Sequence, residues 1–484
     1  MPCFFSLQVW QTTGVGLSWV PRAVVVGSGL AGLECALELA AGGWGVEVLS
    51  AGRPGHDGAT HRVHALAPWV LLTAPWVRGD SPDRFLADLK RRGQGMERGG
   101  LSEVFAAEAH QAARTLIETM DLEALEPQPT MLPGDDVPRG MRCIPRDRHV
   151  LLAPHLGRCA QQGVQFRGRA LAVGLLVVGG RASGVVVVDR STNELVYLHA
   201  DAVVLACGGP GAIFPVATQP RWCRGTGLAV ASAAGVLLHH PELTQALPVT
   251  ATRPLYFPTS AAVLAGRIQV DGRTLDPAPT LESATREIAG ALGRGAEVFL
   301  HPVAGGEGLL PARVRESTSF KTEGRVPLTV ALHHGVGGVA VDAWGRTSLP
   351  GLYACGEAAG GVQGRQRTMG TGLLEAAIFA KRAARAMRRD AVRSGPAPDG
   401  GDPLTPPTPA DPAALERLLD RLMGPLVVLR ARAAVEEAVS ELGNWPADGG
   451  AGGDERCALA ALRRQGALAL LAGEQGKSAS ERDS

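Results

Sequence analysis

The sequence predicts an α/β fold with a doubly wound, dinucleotide-type nucleus and an all-helical C-terminal part. Three observations predict it. A strand, a glycine turn, a helix and a second strand follow one another over Arg22–Ser50. Apolar β-branched runs separated by turn signals fill residues 163–206 and return to a last strand, Ala202 to Ala206. Seven prolines fall within residues 394–412, and amphipathic helical patterns come after them.

The first unit is the most specific. Ala23-Val24-Val25-Val26 is a short β-branched run, Leu33 to Ala40 the helix and Val46 to Leu49 the next strand, which together make a βαβ unit of ordinary length. Between strand and helix, Gly27-Ser28-Gly29-Leu30-Ala31-Gly32 fits G-x-G-x-x-G. The first glycine permits the turn, the second lets the backbone approach a pyrophosphate, and the third allows close helix–strand contact. The helix N-terminus adds free N–H donors and partial positive charge. The turn is therefore a dinucleotide site, with NAD and FAD both open. An acidic residue usually ends the second strand and takes the ribose. Here Ser50 stands there, a weaker hydrogen-bonding partner, and Glu47 lies three residues earlier.

Residues 51–100, rich in Gly, Pro and Arg, read as irregular. Ser102 is expected to cap an amphipathic helix to Met120. A helix is expected over Gly225–Ala234 and a long one over Gly372–Arg389, with residues 246–325 hard to assign. The proline stretch reads as a linker. Asp411 and Pro412 form an N-cap and N1 pair for helices at about 412–423, 426–442 and 456–472. No fixed-period repeat is present.

Composition narrows the function classes. Of 484 residues, 45% are apolar and 20% charged, enough for a large core, and the formal net charge is +1, which argues against nucleic-acid binding through bulk charge. Lysine occurs only four times, so the basic residues are almost all Arg, a bias of the whole chain. The eight cysteines form no C-x-x-C pair, which disfavours a zinc or iron–sulfur site, and scattered thiols fit a reducing, cytoplasmic setting. The adjacent His239 and His240 lack a partner at ligand spacing and read as packing or surface residues, so no metal is expected. Residues 1–21 carry no charge and are read as a leader outside the fold, neither a secretory signal nor a span. The apolar run Leu171 to Val188 is broken by Gly179-Gly180-Arg181 and reads as two strands, so no membrane span is expected.

Several later segments carry a family resemblance. Asp201 to Gly209 (DAVVLACGG), Gly351 to Glu357 (GLYACGE) and Arg367 to Glu375 (RTMGTGLLE) resemble, in order and spacing, the flavoproteins of the succinate dehydrogenase, fumarate reductase and L-aspartate oxidase family. His333-His334-Gly335-Val336-Gly337-Gly338, followed by Val341 to Thr347, is similar to that family's substrate-histidine segment. Leu418 to Leu442, with Leu422-Met423 and Val428-Leu429-Arg430, resembles its helical tail. The resemblance covers residues 22–245 and 326–445.

It implies FAD, held in a doubly wound FAD-binding domain assembled from discontinuous segments (22–245 and 326–391). An α+β capping domain is inserted at 246–325, and a linker at 392–411 leads to a helical domain at 412–473. Gly208 and Gly209 would close the FAD site, and Glu357 would hold the ribityl chain. A helix start at Gly372 and Leu373 would lie beneath the flavin ring, where its positive end stabilises charge on the reduced N1–C2=O edge. The resemblance places Arg367 at the carboxylate-binding position, His333 at the later substrate histidine, and His61 near the position where membrane-complex members attach FAD covalently. Departures are equally specific. Leu247 stands where the family has a histidine, and Val263 falls in the slot of its catalytic arginine. A four-residue shift brings Arg267 there as the candidate proton acceptor. Thr226 replaces an acidic residue, and Ala65-Leu66-Ala67-Pro68 replaces the family's A-Q-G-G.

The implied function is L-aspartate oxidation to iminoaspartate for NAD synthesis, with a hydride passing to flavin N5 and electrons returned to oxygen, fumarate or a separate acceptor. The substrate would be a small dicarboxylate or amino acid. Two alternatives stay open: a fumarate reductase or succinate dehydrogenase paralogue with an altered substrate, and a flavin-binding protein without turnover.

Overall fold

The computed structural model describes residues 19–475 except 67–68, 133–134, 147–150, 253–254, 277–279, 306, 395–400, 406–407, 410, 424–431 and 449–454. Expectations for residues 1–18, for Pro68, for the segment Val428-Leu429-Arg430 and for the tail after 475 lie outside the described residues.

A five-stranded, wholly parallel sheet is the nucleus. Its spatial order is Leu352–Ala354, Ala202–Leu205, Arg22–Val26, Gly45–Leu49 and Gln165–Arg167. The inner strands are buried on both faces, which is why they read as unbroken β-branched runs. Helices Leu30–Ala41 and Gly372–Ser394 pack against each other beside this sheet. Strands from both halves of the chain share it, so the discontinuous assembly follows from pairing alone.

The run over 163–206 resolves as expected. Strands Ala170–Val178, Arg181–Asp189 and Glu194–His199 form an antiparallel layer, and the chain then returns to the parallel sheet through Ala202–Leu205. A second antiparallel sheet joins Thr244–Thr250, Val326–Gly335, Val298–His301, Arg267–Val270 and Arg273–Thr274. It has its own apolar core with helix Leu281–Gly293, through Ala284, Ile288, Leu300 and Leu328.

Three local expectations are corrected. The stretch 51–100 is not irregular: it holds helices Ala59–Leu66 and Pro82–Gly93 and strand Val70–Thr73. Ser81 caps the second helix by accepting from Arg84 N at 3.1 Å, and Pro82 sits at its start, a cap signal masked by the flanking glycines and arginines. Ser102 is not the cap of its helix. The helix runs Leu101–Thr119 with Gly100 at the cap, and Ser102 Oγ donates to Val362 O at 2.7 Å. The proline stretch is not all linker, because Asp402–Leu404 adds an edge strand beside Leu175–Val177. Pro403 is tolerated there because an edge strand leaves one row of N–H groups unpaired.

Helices Pro412–Met423, Arg432–Gly443 and Glu455–Gln475 close around Leu415, Leu419, Leu442 and Leu470. Arg463, 3% exposed, ties this bundle to the rest. Its Nε and Nη2 donate to Ile213 O at 3.1 and 2.8 Å, and Nη1 pairs with Glu416. No helix among the described residues is long and apolar enough to cross a membrane.

Candidate active site

The carboxyl ends of a parallel sheet are where a doubly wound fold leaves a crevice. Here that crevice is a cleft of about 1330 Å³, counted to its open mouth. Val26, Leu49, Ala206 and Gly356, at or just beyond the ends of four neighbouring strands, all line it.

The turn at its centre needs its glycines. Gly27 has φ +117°, a left-handed conformation, and a Cβ there would lie 2.6 Å from the carbonyl carbon of Ala206. A Cβ on Gly32 would lie 2.9 Å from the Gly27 carbonyl carbon, so the helix is drawn close to the strand end. Gly29 has an ordinary φ of −75° and caps the helix with no side-chain bond. At this helix end the Leu30 amide reaches Thr60 Oγ1 only at 3.3 Å, so the first turn presents its amides to the cleft, as a bound pyrophosphate requires. The glycine cradle and the helix starts at Leu30 and Gly372, which line one cleft, fit FAD.

Ser28 and Ser50 are not independent. Ser28 Oγ donates to Ser50 Oγ at 3.0 Å and accepts from Gly55 N at 3.1 Å. Glu47 points away to Arg167, at 2.7 Å. Ala31, Gly208, Gly372 and Leu373 line the cleft. Gly209 packs on Glu357, where a Cβ would strike the carboxylate. Thr60 and Arg62 line the cleft, whereas His61 packs edge-on against His56, ring centroids 5.3 Å apart.

At the other end a polar cluster forms around one arginine. Arg367 is half-buried; its Nη1 donates to Gln245 Oε1 at 3.1 Å, and Gln245 Nε2 donates back to Arg367 O at 3.1 Å. Its Nε is buried with no hydrogen-bond partner. The supporting loop is tied down twice. Thr73 Oγ1 donates to Met369 O at 2.7 Å, and Gln363 accepts from Thr368 N while donating to Glu375.

His333 and His334 both line the cleft, although neighbours on a strand should face opposite ways. A β-bulge explains it: Gln245 pairs with His334 and Ala246 with Leu332, which leaves His333 as the extra residue. His333 Nδ1 lies 3.0 Å from Thr218 Oγ1, and His334 Nδ1 lies 3.3 Å from Glu357 Oε1. Glu357 also accepts from Gly335 N at 2.7 Å and from Gln219 Nε2.

Burial, then the Arg367 charge, lowers His333 to about 3 and His334 well below its ordinary value. Burial raises Glu357 and Glu375 to about 7 against the opposing pull of Arg367 and their hydrogen bonds. The two pairs act on stability with opposite sign. The folded apoprotein holds more protons on the carboxyls than the unfolded chain does, so their contribution declines as pH rises from about 4.5 to about 7. It holds fewer on the histidines, so theirs grows as pH rises towards about 6.5. Over the shared window the effects offset. Converting both carboxyls, Glu357→Gln with Glu375→Gln, is therefore expected to expose the histidines. Urea midpoints of the apoprotein should fall as pH drops below about 6.5 in the double variant, and only below about 4.5 in the parent.

Leu247, Val263 and Arg267 are not brought to the cleft. Leu247 is buried opposite Ala331, Val263 packs into the core of the second antiparallel sheet, and Arg267 is exposed opposite His301. His239 and His240 are engaged with Met96 O at 2.9 Å and Glu242 at 3.0 Å. Sequence reasoning did not single out Thr218, Gln219, Gln245, His334 or Glu375. His334 and Glu375 sit inside the segments already quoted, but the bulge that turns His334 inward has no sequence signature.

Known proteins share this fold. The FAD binding domain family matches residues 22–271 and 310–373. L-aspartate oxidase of Caulobacter vibrioides is 31% identical over 89% of this chain and 87% of its own length. L-aspartate oxidase of Streptomyces coelicolor is 30% identical over 75% of this chain and 67% of its own. Among solved structures, Mycobacterium smegmatis Sdh1 in complex with UQ1 superposes with a TM-score of 0.76 at 23% identity, covering 95% of this chain and 88% of that one. The likeness in structure shows a shared fold.

Proposed function

The chain belongs to the FAD binding domain family and is an FAD-dependent oxidoreductase of the L-aspartate oxidase and fumarate reductase group, and from that premise we propose that it oxidises L-aspartate to iminoaspartate. The observation that carries the reading is Arg367, half-buried with its Nε buried and unpartnered, lodged beside the Gly372 helix start with two histidines close by.

When bound, FAD supplies the acceptor for the hydride released from the substrate Cα–H bond. Gly27, Gly29 and the first turn of helix Leu30–Ala41 would hold its pyrophosphate. Glu357 and the Gly372–Leu373 helix start would hold the flavin half. Arg367 binds a substrate carboxylate through its fork, with Gln245 fixing the plane of the guanidinium. His333 is uncharged at neutral pH and has Nδ1 committed to Thr218, so Nε2 is the atom left to orient the other end of the substrate. A carboxylate seated on Arg367 brings negative charge beside both imidazoles and moves their pKa values back upward. The substrate ammonium loses one proton as the C=N bond forms. Arg267 has no part in this, being exposed on the outer sheet.

Six described cysteines are free thiols, which supports a reducing, cytoplasmic setting. Iminoaspartate is the product that the resemblance links to NAD synthesis. The test is turnover with L-aspartate, with oxygen or fumarate as acceptor. Aspartate-dependent peroxide formation or fumarate consumption is expected. Turnover of succinate with none of aspartate would reject this substrate in favour of a succinate dehydrogenase-type reaction.

A further inference from the structure

The reaction uses one end of the cleft; the other end carries a feature it leaves unexplained. The Gly27–Gly32 turn lies between the two. Beyond it, where the second strand ends at Ser50 and Ala51, the cleft would take the adenosine half of FAD. The ordinary ribose hold is weak there. No carboxylate ends the strand, Glu47 is engaged by Arg167, and Ser50 already accepts a hydrogen bond from Ser28.

Trp222 lines the cleft and is half-buried. The guanidinium carbon of Arg190 is 4.2 Å from its ring centroid and that of Arg221 is 4.3 Å. Arg190 in turn donates from Nη1 to Ala51 O at 2.6 Å, so the stack is anchored on the residue that follows Ser50. The loop carrying Trp222 is fixed by Cys223 N donating to Pro220 O at 2.9 Å and by Cys223 O accepting from Ala212 N at 2.7 Å. An indole that lines the cleft and is held in place by guanidinium groups offers an aromatic surface to a base.

We infer that Trp222, held in place by Arg190 and Arg221, walls the adenosine end of the cleft and retains the adenosine half of FAD where Ser50 holds the ribose weakly. This assignment is independent of which substrate is oxidised.

Two flavins test it. In the full-length chain, Trp222→Ala should raise the dissociation constant for FAD roughly 5- to 150-fold, the range for loss of a base–aromatic stack, read from flavin fluorescence released on dilution of the holoprotein. Binding of FMN, which lacks the adenosine, to the FAD-stripped chain should be the same in both proteins. Trp222→Phe should recover most of the FAD affinity. Unchanged FAD affinity in Trp222→Ala would overturn the inference. So would an equal loss of FMN affinity, which would make Trp222 a support of the loop and not a wall of the adenosine subsite.

Discussion

Replacing Arg367 by methionine is expected to lower kcat/KM for L-aspartate by roughly 10²–10³-fold, the cost of removing one partner of a buried, charge-assisted carboxylate pair. Two effects combine. The substrate carboxylate loses its fork. In addition, Glu357 and Glu375, already held near 7 by burial, lose the cation that opposes that rise and become more firmly protonated. Arg367→Lys keeps the charge but loses the planar geometry that Gln245 braces, so it should rescue only a small part. The readout that separates a substrate role from a folding role is flavin content. Arg367 touches the flavin end without supplying the pyrophosphate cradle, so both variants should purify with FAD bound. Steady-state kinetics alongside the absorbance ratio of flavin to protein checks both halves of the expectation.

The second large effect sits at the turn. Gly27→Ala should abolish FAD binding and destabilise the protein by roughly 3–5 kcal/mol, combining backbone strain with overpacking. The conformation at φ +117° is closed to alanine, and the new methyl would drive into the carbonyl of Ala206. That carbonyl cannot retreat cheaply, because Ala206 N donates to Val26 O at 2.9 Å and holds the two central strands together. Gly29→Ala is the informative contrast. Its φ is ordinary, and its Cβ would meet only Thr60 Oγ1, at 3.3 Å. The fold should tolerate it, with urea midpoints of the apoprotein close to the parent's, while FAD affinity falls because the methyl stands where a phosphate must approach. Equal behaviour of the two variants would mean that the turn is a structural glycine pair and not a phosphate cradle.

Much of this was legible in the chain itself, for reasons that differ from element to element. The βαβ unit at 22–50 is readable because a strand buried on both faces must be a β-branched run, and because the close approaches at Gly27 and Gly32 admit no other residue. Arg367, His333 and Glu357 stood out through their glycine-rich surroundings and their resemblance to a family. What escaped was what tertiary contact decides. His334 faces the cleft only because a bulge opposite Gln245 and Ala246 displaces His333. Trp222 reads as an ordinary loop aromatic until Arg190, 32 positions earlier in the sequence, is seen stacked on it. Arg267 could be aligned with a catalytic slot in sequence, yet its strand lies at the outer part of a sheet and leaves it exposed.

These residues converge on one claim: the cleft holds FAD so that a carboxylate-bearing amino acid, seated on Arg367, is oxidised against it. Anaerobic titration of the yellow holoprotein with L-aspartate tests that claim most directly. The account predicts bleaching of the flavin band that approaches completion with the parent protein and is absent at the same concentrations with Arg367→Met. A band that L-aspartate leaves unchanged in the parent, or that it bleaches equally in both proteins, would contradict it.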